Sequence, residues 1–256
     1  MNKSIPKIIA ISSLPTVGNA GLKNLLAVLG IHTLPVPTLL LSGLGNMPGF
    51  QRLSVPFEEL LHATFQMAQQ QDYSLVVYTG YFANAEQVGI VREAIQRYRD
   101  HIHALVVDPI CGDQGRAYVD QTIIDHLPDL LSMADWALPN VTELQLLLNQ
   151  STTDLNQTEP AFRQKFSELN YIITGLVEDN QISNRIHTSQ TDAITTHTYT
   201  GQPQSGTGDT FAAWFLYYYY LKQVSAIKAG QLAGEQVASQ LLSELQPNGQ
   251  ITNPTL

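Results

Sequence analysis

Ser205-Gly206-Thr207-Gly208-Asp209-Thr210-Phe211-Ala212-Ala213 sets two glycines and a carboxylate at the head of a long apolar run, Asp209 to about Leu221, that reads as a helix. Glycines at 206 and 208 let the chain turn tightly, so several N–H groups converge just before the helix begins. The helix dipole adds roughly half a positive charge there, and such a spot favours a phosphate. A carboxylate would repel that phosphate. Asp209 therefore makes sense as the group that takes a proton from a hydroxyl attacking phosphorus. The competing reading makes Ser205 or Thr207 a helix cap and Asp209 a partner of the dipole.

Outward from this stretch the chain alternates apolar strands with amphipathic helices. Ile5 to Ser12 reads as a strand rich in β-branched residues, followed by a Pro-Gly loop and a helix from about Gly18 to Leu29. Strands are expected at His32–Pro37, Ser74–Tyr78, Ala104–Asp108, Trp136–Leu138 and Tyr171–Thr174. Helices are expected from Ser54-Pro56 onward, and over Asn84–Arg99, Gln121–Leu131, Thr142–Asn149 and Glu159–Leu169. This regular alternation predicts an α/β fold, a mainly parallel central sheet with helices on both faces. The polar, threonine-rich pieces Gln181–Thr188 and Ala193–Thr200 fit antiparallel strands at its edge. A last helix is expected from about Ser225 to Leu245, before a tail expected to fray. Thr38 to Val55 carries Gly43, Gly45, Pro48 and Gly49 without a helical period, and a loop of that length is usually functional.

At 256 residues the chain suits one domain, 1–256, with a substantial core. A net charge of −9, with lysines and arginines scattered, leaves no basic patch for nucleic acid or anionic lipid. One cysteine, Cys111, excludes an internal disulfide and a cysteine cluster for metal, and this suits a cytoplasmic location. No apolar run has the length of a membrane span or of a signal-peptide core.

In open parallel sheets ligands bind beyond the carboxyl ends of the strands, so polar residues just after a strand are candidates. Ser12-Ser13, Thr38, Thr79-Gly80-Tyr81, Asp108-Pro109-Ile110-Cys111-Gly112-Asp113 and Pro139-Asn140-Val141-Thr142-Glu143 all stand there. Asp108 and Asp113 could meet a hydrated Mg2+, or they could be ordinary turn residues. Asn140 and Glu143, three apart at a helix entry, could share a water or metal, or could form a capping box. Cys111 reads as a small apolar filler, and Tyr217 to Tyr220, pointing all round one turn, as core and subunit packing.

Taken in order, Thr38, Thr79-Gly80-Tyr81, Asp-Pro-x-x-Gly-Asp at 108 to 113, Pro-Asn-x-x-Glu at 139 to 143 and Gly-Thr-Gly-Asp at 206 to 209 resemble the ribokinase-like superfamily, specifically its pyridoxal kinase branch. The resemblance spans nearly the whole chain. It implies a three-layer ribokinase-like fold and transfer of the γ-phosphoryl group of ATP to the 5′-hydroxymethyl of pyridoxal, pyridoxine or pyridoxamine, as in vitamin B6 salvage. It implies Asp209 as general base and Gly206, Thr207 and Gly208 as anion hole. Ser12, Ser13, Thr38 and Tyr81 match substrate-binding positions, Asp108, Asn140, Thr174 and Gly175 nucleotide-binding ones, and Asp113 and Glu143 metal ones. Asn184 and Thr195 would flank adenine. The implied cofactors are ATP, Mg2+ and a monovalent cation, and the implied assembly is a homodimer. Leu138 stands where that branch commonly has threonine before Pro-Asn, and Gly43 to Met47 lacks its polar-aromatic residues. A hydroxymethylpyrimidine or sugar kinase of the same superfamily is the alternative, although the pyrimidine kinases usually carry cysteine where Asp209 stands. A catalytically silent nucleotide- or pyridoxal-binding protein is the third reading.

Overall fold

The computed structural model describes residues 5–45, 47–152, 154–179, 181–198 and 206–244. Ser205 and the tail beyond residue 244, for which a cap and a frayed end were expected, lie outside the described residues. Eleven strands form among them: β1 (Lys7–Pro15), β2 (Thr33–Leu41), β3 (Arg52–Leu53), β4 (Leu75–Thr79), β5 (Ile102–Val107), β6 (Gly112–Asp113), β7 (Arg116–Ala117), β8 (Trp136–Ala137), β9 (Asn170–Glu178), β10 (Gln181–His187) and β11 (Asp192–Thr198). Nine make one sheet in the order β11-β10-β9-β8-β5-β4-β1-β2-β3, while β6 and β7 pair as a separate small hairpin. From β9 to β2 every pairing is parallel, and β10, β11 and β3 run antiparallel at the two edges.

The helices are α1 (Leu22–Leu29), α2 (Phe57–Gln70), α3 (Ala85–Arg97), α4 (Gln121–Leu131), α5 (Val141–Leu148), α6 (Leu155–Lys165), α7 (Thr207–Leu216) and α8 (Ala226–Glu244), with a π-helical turn at Tyr217–Leu221 after α7. They sort by face. Ile9, Ile11, Val77, Leu105 and Val107 point into the core built with α2 to α6, and Ile8, Ala10, Val76, Tyr78 and Val106 into the core built with α1, α7 and α8. That switch from each residue to the next is the strand period of two, and because helices cover both faces, both faces of these strands are apolar.

Several boundaries differ from the sequence reading, among them α6, expected at Glu159–Leu169 and found at Leu155–Lys165, and β9, expected at Tyr171–Thr174 and found at Asn170–Glu178. The segment from Thr38 to Val55 is not structureless: β2 continues to Leu41, and Arg52 and Leu53 return against Leu41 and Leu40. The tyrosine run leaves α-helical geometry at Tyr217–Leu221, and its rings pack on neighbours, with Phe215 and Tyr219 stacked at 5.4 Å and Tyr219 against Trp136. Since β2 lies on one side of β1 and β4 on the other, the strand order reverses at β1. A crevice opens there at the carboxyl ends.

Candidate active site

Gly206 begins α7 at φ +86°, a conformation only glycine takes readily, and a Cβ there would lie 2.0 Å from the Asn19 carbonyl oxygen. No side chain caps this helix. Asn24 of α1 secures the turn instead, its Nδ2 donating to the Gly206 carbonyl at 3.0 Å and to Thr210 Oγ1 at 2.9 Å. First-turn N–H groups thus face the crevice without a side-chain cap of their own helix. Asp209 follows, buried, with Oδ1 lacking any hydrogen-bond partner. Burial raises its pKa to about 6, and a hydrogen bond from the Gly21 backbone N–H offsets part of that rise. An ionised, desolvated carboxylate with one open oxygen is a proton acceptor in waiting.

Two further carboxylates stand nearby. Asp108, at the end of β5, accepts from the Tyr78 hydroxyl at 3.0 Å, and burial together with the charge of Asp209 pushes its pKa well up. Glu143 is also pushed up, by burial and by Asp108. Asn140 and Glu143 form the reciprocal capping box of α5: Asn140 Oδ1 accepts from the Glu143 N–H at 2.9 Å, and Glu143 Oε2 from the Asn140 N–H at 2.8 Å. Glu143 Oε1 takes the Cys111 N–H at 3.3 Å. Asp113 is exposed on the β6–β7 hairpin, with Oδ1 accepting from the Gln114 N–H, and the hairpin is held over α5 by Asn140 Nδ2 on the Gly112 carbonyl at 2.9 Å.

A cavity of about 710 Å³ joins these groups. Ser13, Tyr81, Asp108, Asp113, Asn140, Glu143, Thr174, Gly175, the Gly206 to Gly208 turn and Asp209 all line it. Ser12 and Thr38 do not. Both are buried behind Tyr81, whose backbone they clamp: Ser12 Oγ accepts from the Tyr81 N–H at 3.1 Å and Thr38 Oγ1 donates to its carbonyl at 2.9 Å. At the other end Gly175, at φ +74°, donates its N–H to Asn184 Oδ1 at 3.2 Å, and Asn184 and Thr195 are buried against α8 rather than on the cavity wall. Val177, Ile182, Val237 and Leu241 supply an apolar wall there. Leu138, on the same wall, offers only hydrocarbon to a cation.

Gly21, Asn24, Tyr78 and Gln87 were not visible as site residues in the sequence. Gly21 has φ +53° and would put a Cβ 2.2 Å from the Ser13 carbonyl, so the glycine in Gly18-Asn19-Ala20-Gly21 was the only signal. Gln87 Nε2 donates to the Thr38 carbonyl at 2.8 Å from inside α3, a contact no local pattern announces.

A mostly parallel sheet between two helical layers, with a carboxylate on a glycine-opened helix N-terminus in the crevice, defines the ribokinase-like class of kinase folds. Residues 26–254 match the phosphomethylpyrimidine kinase family, and the chain belongs to it. A Bacteroides thetaiotaomicron VPI-5482 protein provisionally named a phosphomethylpyrimidine kinase, crystallised with pyridoxal, superposes with a TM-score of 0.82 at 25% identity, over 96% of this chain and 91% of that one. Pyridoxal kinase from Entamoeba histolytica, 20% identical over 93% of this chain and 90% of its own, shares the fold with a TM-score of 0.82. Two Schizosaccharomyces pombe proteins provisionally named pyridoxal kinases are each 27% identical, over 65% and 55% of this chain. The matches cover 56% and 43% of those relatives, about half their length.

The family match corrects the vitamin B6 reading: the chain falls in the phosphomethylpyrimidine kinase family and not in the pyridoxal kinase branch, so a pyridoxal kinase assignment is withdrawn. Most of the motifs that suggested the B6 branch, at 108 to 113, 139 to 143 and 206 to 209, belong to the phosphate and metal region, which different acceptors can share on one fold, and Gly43 to Met47 departed from that branch. ATP and Mg2+ are the cofactors of this class. The residues fit them: Asp108 and Glu143 are carboxylates whose ionisation burial opposes, and a divalent cation would relieve that. Among the described residues no three His, Cys, Asp or Glu side chains form a metal cage. No helix among the described residues is long and apolar enough to cross a membrane.

Proposed function

We propose that this chain is an ATP-dependent phosphotransferase acting on the hydroxymethyl group of a hydroxymethylpyrimidine. The observation that carries phosphoryl transfer is Asp209, a buried carboxylate whose Oδ1 has no partner, set at the N-terminus of α7 on the wall of one continuous cavity. The pyrimidine as acceptor is supported by the family match, although Asp209 stands where pyrimidine kinases usually carry cysteine. In the reaction the acceptor hydroxyl oxygen forms a bond to Pγ and the bond from Pγ to the bridging oxygen breaks, the electron pair leaving with ADP. The hydroxyl proton passes to Asp209 Oδ1. N–H groups of the Gly206, Thr207 and Gly208 turn stabilise the charge on the transferring group. Ser13 and Tyr81 hold the ring, with Ser12 and Thr38 fixing Tyr81 from behind. Thr174, Gly175, Asn140 and Asp108 serve the nucleotide. Glu143 and Asp113 would hold Mg2+, which would supply charge neutralisation during phosphoryl transfer.

The proposal includes a cytoplasmic homodimer, with the half-buried Tyr217, Tyr218 and Tyr219 at the subunit contact; light scattering checks the assembly. The activity is tested by ATP consumption with hydroxymethylpyrimidine, pyridoxal and ribose as acceptors. The pyrimidine is expected to give the largest kcat/KM. Turnover confined to pyridoxal or ribose would overturn the reading.

A further inference from the structure

Asp108 stands on the cavity wall just beyond β5, and the group that fixes its carboxylate comes from the neighbouring strand. Tyr78 of β4 pairs in register with Val106 of β5, and both point into the core built with α7. The Asp108 N–H still bonds the Thr79 carbonyl at 2.8 Å, so the strand geometry carries on to it. Two residues past Val106, Asp108 therefore falls on the same side of the sheet as Tyr78. The Tyr78 side chain is fully buried, and its hydroxyl reaches forward to Asp108 Oδ2 at 3.0 Å. Burial, and after it the charges of Asp108 and Asp209, push the phenol pKa well up, so this hydroxyl stays protonated and donates. With Oδ2 held from the sheet, the other oxygen is the one left for the cavity. Asp209, in the first turn of α7, is close enough for its charge to act on Asp108 too.

We propose that Tyr78 is a positioning residue for phosphoryl transfer: its hydroxyl fixes the Asp108 carboxylate in the orientation that serves the nucleotide. The inference rests on the kinase reading above, in which Asp108 belongs to the nucleotide side. Tyr78 itself is sealed in the core and touches neither substrate. A buried phenol needs an acceptor, and a packing role alone would be met by that. The two roles differ in one respect. A packing residue weakens the enzyme whatever stands at position 108, whereas a positioning residue does so only while Asp108 is there to be held.

A double-mutant cycle tests this, with wild type, Tyr78→Phe, Asp108→Ala and the double variant compared in steady-state kinetics and in calorimetric titration with ATP in the presence of Mg2+. Phenylalanine keeps the ring in the core, so the variant is expected to fold, with the thermal midpoint as check. Tyr78→Leu, which also lacks the donor, takes its place if it does not. Tyr78→Phe should lower kcat/KM for ATP by about tenfold or more and weaken ATP binding about as much, as for a lost hydrogen bond to a charged group. The acceptor KM should stay within about twofold, because Asp108 serves the other substrate. In the Asp108→Ala background the same change should cost less than about twofold in either readout. An equal loss with and without Asp108, a matching rise in the acceptor KM, or no loss at all would overturn the inference. If no acceptor is turned over, the kinase reading fails by itself and the cycle is decided on ATP binding. A wild type that binds no ATP overturns both.

Discussion

Asp209 serves chemistry at a cost to the fold, and the two effects separate in one variant. Asp209→Asn keeps the shape but cannot accept a proton, so kcat should fall by about 10²–10⁴-fold with ATP affinity nearly unchanged. More than a tenth of wild-type turnover would make Asp209 a dipole partner only. In the fold its pKa is about 6 against the usual 3.8. The folded chain therefore binds this proton more tightly than the unfolded one. Stability from the group is complete below about pH 3.8 and is lost as pH rises through about 6. Asn is exempt from that loss. Urea unfolding should show Asp209→Asn more stable than wild type at pH 7, by up to about 3 kcal/mol, with the difference closing as pH falls to 4; a gap independent of pH would contradict the assignment. Glu143→Gln retains the capping box, since Gln also fills that position, and removes only the charge. The Mg2+ concentration for half-maximal rate should rise about threefold or more while the unfolding midpoint holds. An unchanged Mg2+ titration would leave Glu143 with its capping role alone.

Among the elements, α7 depends most on a neighbour. Its N-terminal turn is held by Asn19 and Gly21 of the β1–α1 connection and by Asn24 of α1, with Gly206 against the Asn19 carbonyl. Gly206→Ala forces both a positive φ on a residue with a Cβ and an overlap with backbone, so a stability loss of about 1–3 kcal/mol is expected. Because Asp209 moves with the turn, kcat should fall by at least about tenfold. Gly89 in α3 is the control: nothing lies within 4 Å of its added Cβ, and Gly89→Ala should be neutral or stabilising by up to about 1 kcal/mol. Thermal midpoints of the two variants check the contrast. A helix here was legible in the apolar run from Asp209 to about Leu221 and is found over Thr207–Leu216, whereas its anchoring through Asn24, 182 residues before Gly206, was not legible.

At the scale of the molecule the cavity runs from the β2–β3 edge to a wall made by β9, β10 and α8. That wall is set by how closely α8 lies on the sheet. A Cβ at Gly234 would come 2.2 Å from His197 Nε2 on β11, so the helix rests in a glycine notch. Gly234→Val should lift α8 and displace Val237 and Leu241, raising KM for ATP by about fivefold or more and leaving the acceptor KM unchanged. Steady-state kinetics with each substrate varied in turn measure it, and a parallel rise in both constants would tell against separate ends. The alternation of strands and helices, the antiparallel edge pieces expected at Gln181–Thr188 and Ala193–Thr200 and found at Gln181–His187 and Asp192–Thr198, and the order of the polar turns were determined by sequence alone, because burial period and turn chemistry are local properties. Membership in the phosphomethylpyrimidine kinase family was not read correctly from the same motifs, since they describe phosphate handling and leave the acceptor open. Only tertiary structure decided that Thr38 and Ser12 clamp Tyr81 instead of facing the cavity, and that Glu143 accepts from the Asn140 and Cys111 N–H groups while lining it. It likewise brought Gly21 to Asp209 and Arg52 to the acidic wall. Each of these is an approach between segments far apart in the chain, fixed by the packing of two helical layers on one sheet, and no local pattern encodes where such a side chain ends up.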